Sequence, residues 1–208
     1  AQLDIECADG SHHRIVSDSQ WRGTLEGPLR GTDTIHGEIY DARREMPGWD
    51  RPDFDDSAWG EVDIVNSPKA SWVAQVNEPI RIKEELKPLA LNEPKPGIFV
   101  YDFGQNLVGW CRVRAKGKEG TSVKLRHAEV LNPDGTIYTD NLRGPFQVDE
   151  WILGGSEDCL FEPRFTYHGF RYLEVTGLEN APALEDIIGC ALHSDSPRVS
   201  DFECSDPM

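Results

Sequence analysis

The feature that most constrains this chain is a two-residue alternation of apolar and polar side chains that breaks at a turn roughly every ten residues. In GWCRVRAKG, Cys111, Val113 and Ala115 fall on one side and Trp110, Arg112 and Arg114 on the other. In TSVKLRHAEVL, Val123 and Leu125 alternate with Lys124 and Arg126. KGKEGT supplies a turn between these two runs, and Asn132-Pro133-Asp134-Gly135 supplies another, with Pro presetting φ and Gly closing it. DEWILGG and FRYLEVTGL read as further strands, with Leu173 and Val175 facing inward. LDIECADGSHHRIV reads as a hairpin turning at Asp9-Gly10. A side-chain period of two with frequent turns predicts an all-β chain of two antiparallel β-sandwich units, jelly-roll or concanavalin-like in kind. Helical signal is weak. ALEDIIGCA is compatible with a strand or with a helical turn.

The 208 residues are enough for one large domain or two small ones, and such a length buries a core without metal or disulfide staples. KEELKPLALNEPKPG carries Pro88, Pro94 and Pro96 and reads as an extended connector between strand-rich halves. The division expected is residues 1–88, 89–195 and a short lead-out at 196–208. Leu3, Ile5 and Ile15 of the first hairpin call for a facing sheet. Ser205-Asp206-Pro207 has the cap and first-turn proline of a starting helix.

A net charge of −16 disfavours phosphate backbones and anionic membrane surfaces as partners, and no apolar run of 18 residues or more is present to span a bilayer as a helix. The bland reading of the charge is solubility; the functional one is carboxylates around a hard cation such as calcium. The five cysteines, Cys7, Cys111, Cys159, Cys190 and Cys204, contain no C-x-x-C pair. None of the six histidines falls in H-x-x-x-H or H-E-x-x-H spacing, and no G-x-S-x-G or phosphate-binding glycine loop occurs.

Three groups of polar residues invite a functional reading. Asp53, Asp55 and Asp56 cluster in RPDFDDSAW, where a polar turn keeps them ionised and a structural role is the default. His127 and Glu129, two residues apart, should share the strand face of Val123 and Leu125, as a buried hydrogen-bonded pair or as the edge of a cleft. His168, beside Gly169 and between aromatics, reads as strand packing with a close backbone approach at the glycine. Trp21, Trp49, Trp59 and Trp72 crowd the first segment near acids and turns. They suit either core anchoring or stacking on the C–H face of a sugar ring. In YDFGQNLVGW, Gly104 and Gly109 permit a sharp turn or close packing, and Gln105 and Asn106 serve backbone hydrogen bonds or the edge of a sugar cleft.

Taken together, HGEIYDARREMPGWDRPDFDDSAW, then VYDFGQNLVGW through DEWILGG, then FTYHGFRYLEVTG and HSDSPRVSDFECSDPM resemble the bacterial-type α-L-rhamnosidases over nearly the whole chain. The resemblance implies the end of an N-terminal β-sandwich module, a concanavalin-like sandwich, and the lead-in to a helical (α/α)6 barrel that carries the inverting acid and base. It implies no catalytic residue within these residues, and a partnership with that helical catalytic domain. Some relatives bind L-rhamnose through calcium at an acid and an amide just before GE-x-YDAR. The resemblance therefore points to Asp33 as metal ligand, with Trp49 or Trp59 as sugar contact, although Thr34 stands where those relatives carry asparagine; Gln105 and Asn106 would reach the edge of a sugar cleft formed with the helical barrel. Three functions follow as expectations: an accessory β portion of the enzyme, a calcium-dependent rhamnose-binding module, or a purely structural domain.

Overall fold

The computed structural model describes residues 1–66, 69–71, 73–155 and 159–205. Trp72 and the Asp206-Pro207 part of the expected helix start lie outside the described residues. The chain divides into two compact units, residues 1–27 with 45–73 and residues 28–44 with 74–208.

The smaller unit contains two ribbons. β1 (Gln2–Glu6) pairs antiparallel with β2 (His12–Val16) around Gly10, whose φ of 83° suits the turn, and β3 (Arg22–Gly23) pairs with β6 (Gly60–Glu61). Leu3, Ile5 and Ile15 are exposed.

The larger unit is built on one ten-stranded sheet. Its strands are β4 (Leu29–Asp33), β5 (Gly37–Asp41), β7 (Ile80–Leu86), β8 (Ala90–Lys95), β9 (Ile98–Ala115), β10 (Ser122–Ala128), β13 (Val148–Ile152), β14 (Cys159–Phe161), β15 (His168–Thr176) and β16 (Ile187–Ser194). A ribbon of β11 (Val130–Leu131) and β12 (Ile137–Tyr138) lies outside that sheet. Among the described residues every pairing is antiparallel except β5 with β13. The stretch read as a proline connector is itself stranded. β7 pairs with β16 and β8 with β9, and Pro94 sits where the β8–β9 register shifts between Asn92 and Lys95, so no ladder hydrogen bond is asked of it. ALEDIIGCA supplies both of its readings: a 3-10 turn at Leu184–Asp186 runs directly into β16.

The alternation read from the sequence points into one core. Cys111, Val113 and Ala115 of β9, Val123 and Leu125 of β10, and Leu173 and Val175 of β15 join Trp151, Phe161, Phe170 and Ile187. Trp151 stacks on Phe161 with ring centroids 5.7 Å apart. Burying each of the valine, leucine, isoleucine and phenylalanine side chains among them contributes roughly 1.5–3 kcal/mol against the unfolded chain. Val100, on the opposite face of β9, packs with Ala128 and Ile137 in a second, smaller cluster.

YDFGQNLVGW is the bend of β9. Its first half pairs with β8 and β15, its second with β15 and β16. Gly104 takes a φ of 77° at the break, and the Asp102 carboxylate accepts its N–H at 2.7 Å while holding Arg171 bidentately at 2.8 and 2.9 Å. A Cβ on Gly109 would lie 1.8 Å from the Cys190 carbonyl oxygen. Only glycine lets β16 approach there. The close approach expected at Gly169 is absent, since its nearest neighbour to an added Cβ is 4.0 Å away.

Candidate functional site

The polar residues of the larger unit concentrate around the β4–β5 hairpin. Asp33 Oδ1 accepts the N–H groups of Ile35 and His36 at 3.0 and 2.9 Å, which closes the turn. Those bonds hold the Asp33 carboxyl below its ordinary pKa. The Thr34 carbonyl oxygen accepts from Tyr167 N–H at 3.3 Å and from the Thr166 hydroxyl at 3.1 Å. On the other flank, Phe146 N–H donates to His36 Nδ1 at 3.2 Å and the two rings lie 4.7 Å apart. The hairpin is thus gripped from both sides, with Phe146 largely exposed and Tyr167 nearly half exposed.

Beneath it lies a buried polar network. Glu38 points inward and its Oε2 accepts the N–H groups of Arg164 and Phe165 at 3.0 and 3.1 Å. Burial is the main reason its pKa is raised, and the nearby Asp149 charge adds to that; the two N–H bonds oppose it. Asp149 Oδ1 accepts Glu38 N–H at 3.0 Å, and His168 Nε2 lies 3.2 and 3.1 Å from the two Asp149 oxygens. His127 stacks on His168 with centroids 4.1 Å apart, and its Nδ1 donates to the Gln147 carbonyl at 3.1 Å, since a carbonyl only accepts. Burial first, and the neighbouring His168 second, push His127 down to a pKa of about 3, so its ring is neutral at pH 7. His127, Asp149 and His168 are all fully buried.

Ligand atoms of His127, Asp149 and His168 lie within 4.8 Å of one another. Each imidazole lone pair lies in its own ring plane, and two rings stacked with 22° between planes cannot both aim at one ion. The cluster is therefore a hydrogen-bonded brace and not a metal cage. His127 does not pair with Glu129 as the spacing suggested: β10 ends at Ala128, the alternation ends with it, and Glu129 is exposed. There its carboxylate accepts from Asn106 Nδ2 at 3.1 Å and Asn141 Nδ2 at 3.2 Å.

The residues singled out from the sequence are dispersed. Asp33 sits at the end of β4, in the larger unit. Gln105 and Asn106 are exposed beside the β9 bend. Trp49 and Trp59 belong to the smaller unit: Trp49 is exposed, and Trp59 packs on Phe54 with centroids 5.6 Å apart. For calcium, which takes about six to eight oxygens, the Asp33 turn offers one carboxylate oxygen beyond the one that holds the turn, and the Thr34 carbonyl already has two donors. Glu38, Asp149 and His168 were not singled out together, because they come from three strands brought together only by long-range pairing. Cys7, Cys111 and Cys190 are free thiols; burial raises Cys111 well above the usual thiol range and Cys190 to about 11, which leaves both protonated and inert as nucleophiles.

Residues 92–193 match the bacterial α-L-rhamnosidase concanavalin-like domain, and residues 1–84 match the α-L-rhamnosidase N-terminal domain. An α-L-rhamnosidase of Streptomyces avermitilis is 49% identical over 209 residues, covering 100% of this chain and 20% of that protein. One from Alteromonas sp. is 34% identical, again over 100% of this chain, and 23% of it is covered. The crystal structure of the Streptomyces avermitilis α-L-rhamnosidase complexed with L-rhamnose superposes with a TM-score of 0.94 at 48% identity, over 99% of this chain and 20% of that one. An α-L-rhamnosidase structure from Dictyoglumus thermophilum gives 0.93 at 40% identity, over 99% and 23%. The chain thus spans about a fifth of the length of these relatives.

Proposed function

The chain belongs to the bacterial α-L-rhamnosidase family, as its N-terminal and concanavalin-like domains, and from that premise we propose that it is the non-catalytic β portion of an enzyme that removes terminal α-L-rhamnose from glycosides. In this role it supports a separate helical catalytic domain of the same protein. The observation that carries the reading is how the interior carboxylates of the larger unit are used. Glu38 and Asp149 face backbone N–H groups and a histidine, and Glu174 faces Arg126 at 2.7 Å, all three being almost fully shielded from solvent. A glycosidase instead sets two carboxyl groups across an open cleft, about 5–10 Å apart, with room for a sugar between them. Here the buried acids are spent on holding strands together. Incubating the purified chain with an aryl α-L-rhamnoside tests this: phenol release should match the buffer blank, and turnover at an enzyme's rate would overturn the reading.

A second reading, calcium-dependent L-rhamnose binding, is favoured by one feature: Asp33 is exposed at a hairpin tip with an oxygen to spare. The short supply of oxygens around it weighs against a tight site. Calorimetric titration of L-rhamnose with calcium and then with chelator decides it. Heat that appears only with calcium supports the reading, and no heat in either condition ends it.

A further inference from the structure

The larger unit carries a groove of about 500 Å³ between the hairpin and the loop 139–147. Its lining includes His36, Ile39, Arg126, Leu142, Phe146 and Glu150. We propose that this groove is a carbohydrate site that needs no cation, with Phe146 as the ring on which a pyranose stacks.

A pyranose has an apolar C–H face and a rim of hydroxyls, so it needs a fixed apolar plane with hydrogen-bonding groups at the edge. Phe146 is 70% exposed, yet it is held on both counts: its N–H donates to His36 Nδ1, and its ring rests on the His36 ring. Ile39 and Leu142 extend the apolar surface. Arg126 gives one N–H to Glu174, and its fork of five donors leaves others for a ligand. Glu150 accepts the Ser122 hydroxyl through Oε1 at 2.6 Å, which leaves its second oxygen as an acceptor. The volume lies within the range of small-molecule sites, about 300–1,000 Å³.

The loop that forms the wall is built to stay put. Asn141 ties its start to Glu129, which Asn106 also holds. At its end the Gln147 carbonyl accepts from both N–H and Nδ1–H of the buried His127. Arg143 between these anchors and Gln147 at the second, neither of them glycine, adopt φ values of 55° and 50°. Such backbone persists only where surrounding contacts over-determine it, and it clusters at binding sites. A pre-ordered wall lets a weak ligand bind without an ordering cost.

The choice of an L-rhamnoside as first probe rests on the proposed function, whereas the groove itself does not. Methyl α-L-rhamnopyranoside is titrated into the isotopically labelled 208-residue chain in excess EDTA, and amide shifts are followed. The expected result is saturable shifts centred on His36, Arg126, Phe146 and Glu150, with a Kd on the order of millimolar. Phe146→Ala, an exposed change whose folding is checked by its melting temperature, should weaken binding about tenfold or more, and Phe146→Trp should retain it. The proposal is overturned if no saturable shift occurs, if shifts appear only with calcium, if they centre elsewhere, or if Phe146→Ala binds as the parent does. Absence of binding would leave the non-catalytic reading standing, because that reading concerns turnover alone.

Discussion

Replacing Asp149 with alanine should cost about 3–5 kcal/mol of stability, a large share of what a domain of this kind possesses. The carboxylate accepts from two buried donors, Glu38 N–H at 3.0 Å and His168 Nε2 at 3.1 Å. Both donors are deeply buried, so truncation leaves two unsatisfied polar groups and a small void. Asp149→Asn keeps an acceptor for Glu38 N–H and loses the charge-assisted bond to His168, so it should cost roughly half as much. Urea midpoints at pH 7 check both. An alanine variant within 1 kcal/mol of the parent would show that the network is incidental to the fold.

Acid should weaken the larger unit before its carboxylates titrate. His127 has a pKa of about 3 when folded, against an ordinary histidine value of 6.5. Between those limits the unfolded chain binds the extra proton, so stability falls as pH falls and is fully present only above about 6.5. The slope is about 1.4 kcal/mol per pH unit for one proton, which gives a loss of about 2 kcal/mol between pH 6.5 and 5. Glu38 acts in the opposite sense: its pKa is raised, so its contribution diminishes as pH rises through its folded-state pKa, and protonating it offsets part of the histidine effect as pH falls. Urea unfolding at pH 7 and pH 5 measures the difference. His127→Gln should flatten the profile, and a parent chain equally stable at both values would contradict the burial argument.

Much of this architecture is written locally. Period-two alternation places Cys111, Val113, Val123, Leu125, Leu173 and Val175 in the core, and Gly10 and Gly135 mark turns where the backbone takes a positive φ. The glycines of YDFGQNLVGW likewise announced a bend and a tight contact, which Gly104 and Gly109 make. What was not legible depends on register between distant segments. Glu38 caps backbone 126 and 127 residues away, and β5 joins β13 in the sheet's one parallel pairing. Nothing local encodes such a partnership. The spacing pairs His127 with Glu129, but the alternation stops at the end of β10, one residue before Glu129. Phe146 is illegible for a related reason: an aromatic in a polar loop gains its meaning only from His36, a distant residue on which its ring rests.

The division of labour is coherent in physical terms. Titratable groups that could do chemistry are buried in pairs that stabilise strand crossings, while groups at the surface are tied to loops. Asn106, read first as a contact at a sugar edge, here steadies Glu129 and through it the loop bearing Phe146. The side chains with shifted pKa values owe the shifts to burial, ion pairs or hydrogen bonds within the fold, and a fold can generate such shifts without catalysing anything.

The most direct measurement is the initial rate of aryl α-L-rhamnoside cleavage by the parent chain, set beside Glu38→Gln, Glu129→Gln and Asp149→Asn at equal concentration. The account predicts four identical traces, none above the spontaneous rate. A parent rate of about 1 s⁻¹ or more, abolished by any one of those substitutions, would place the chemistry inside these residues and contradict it.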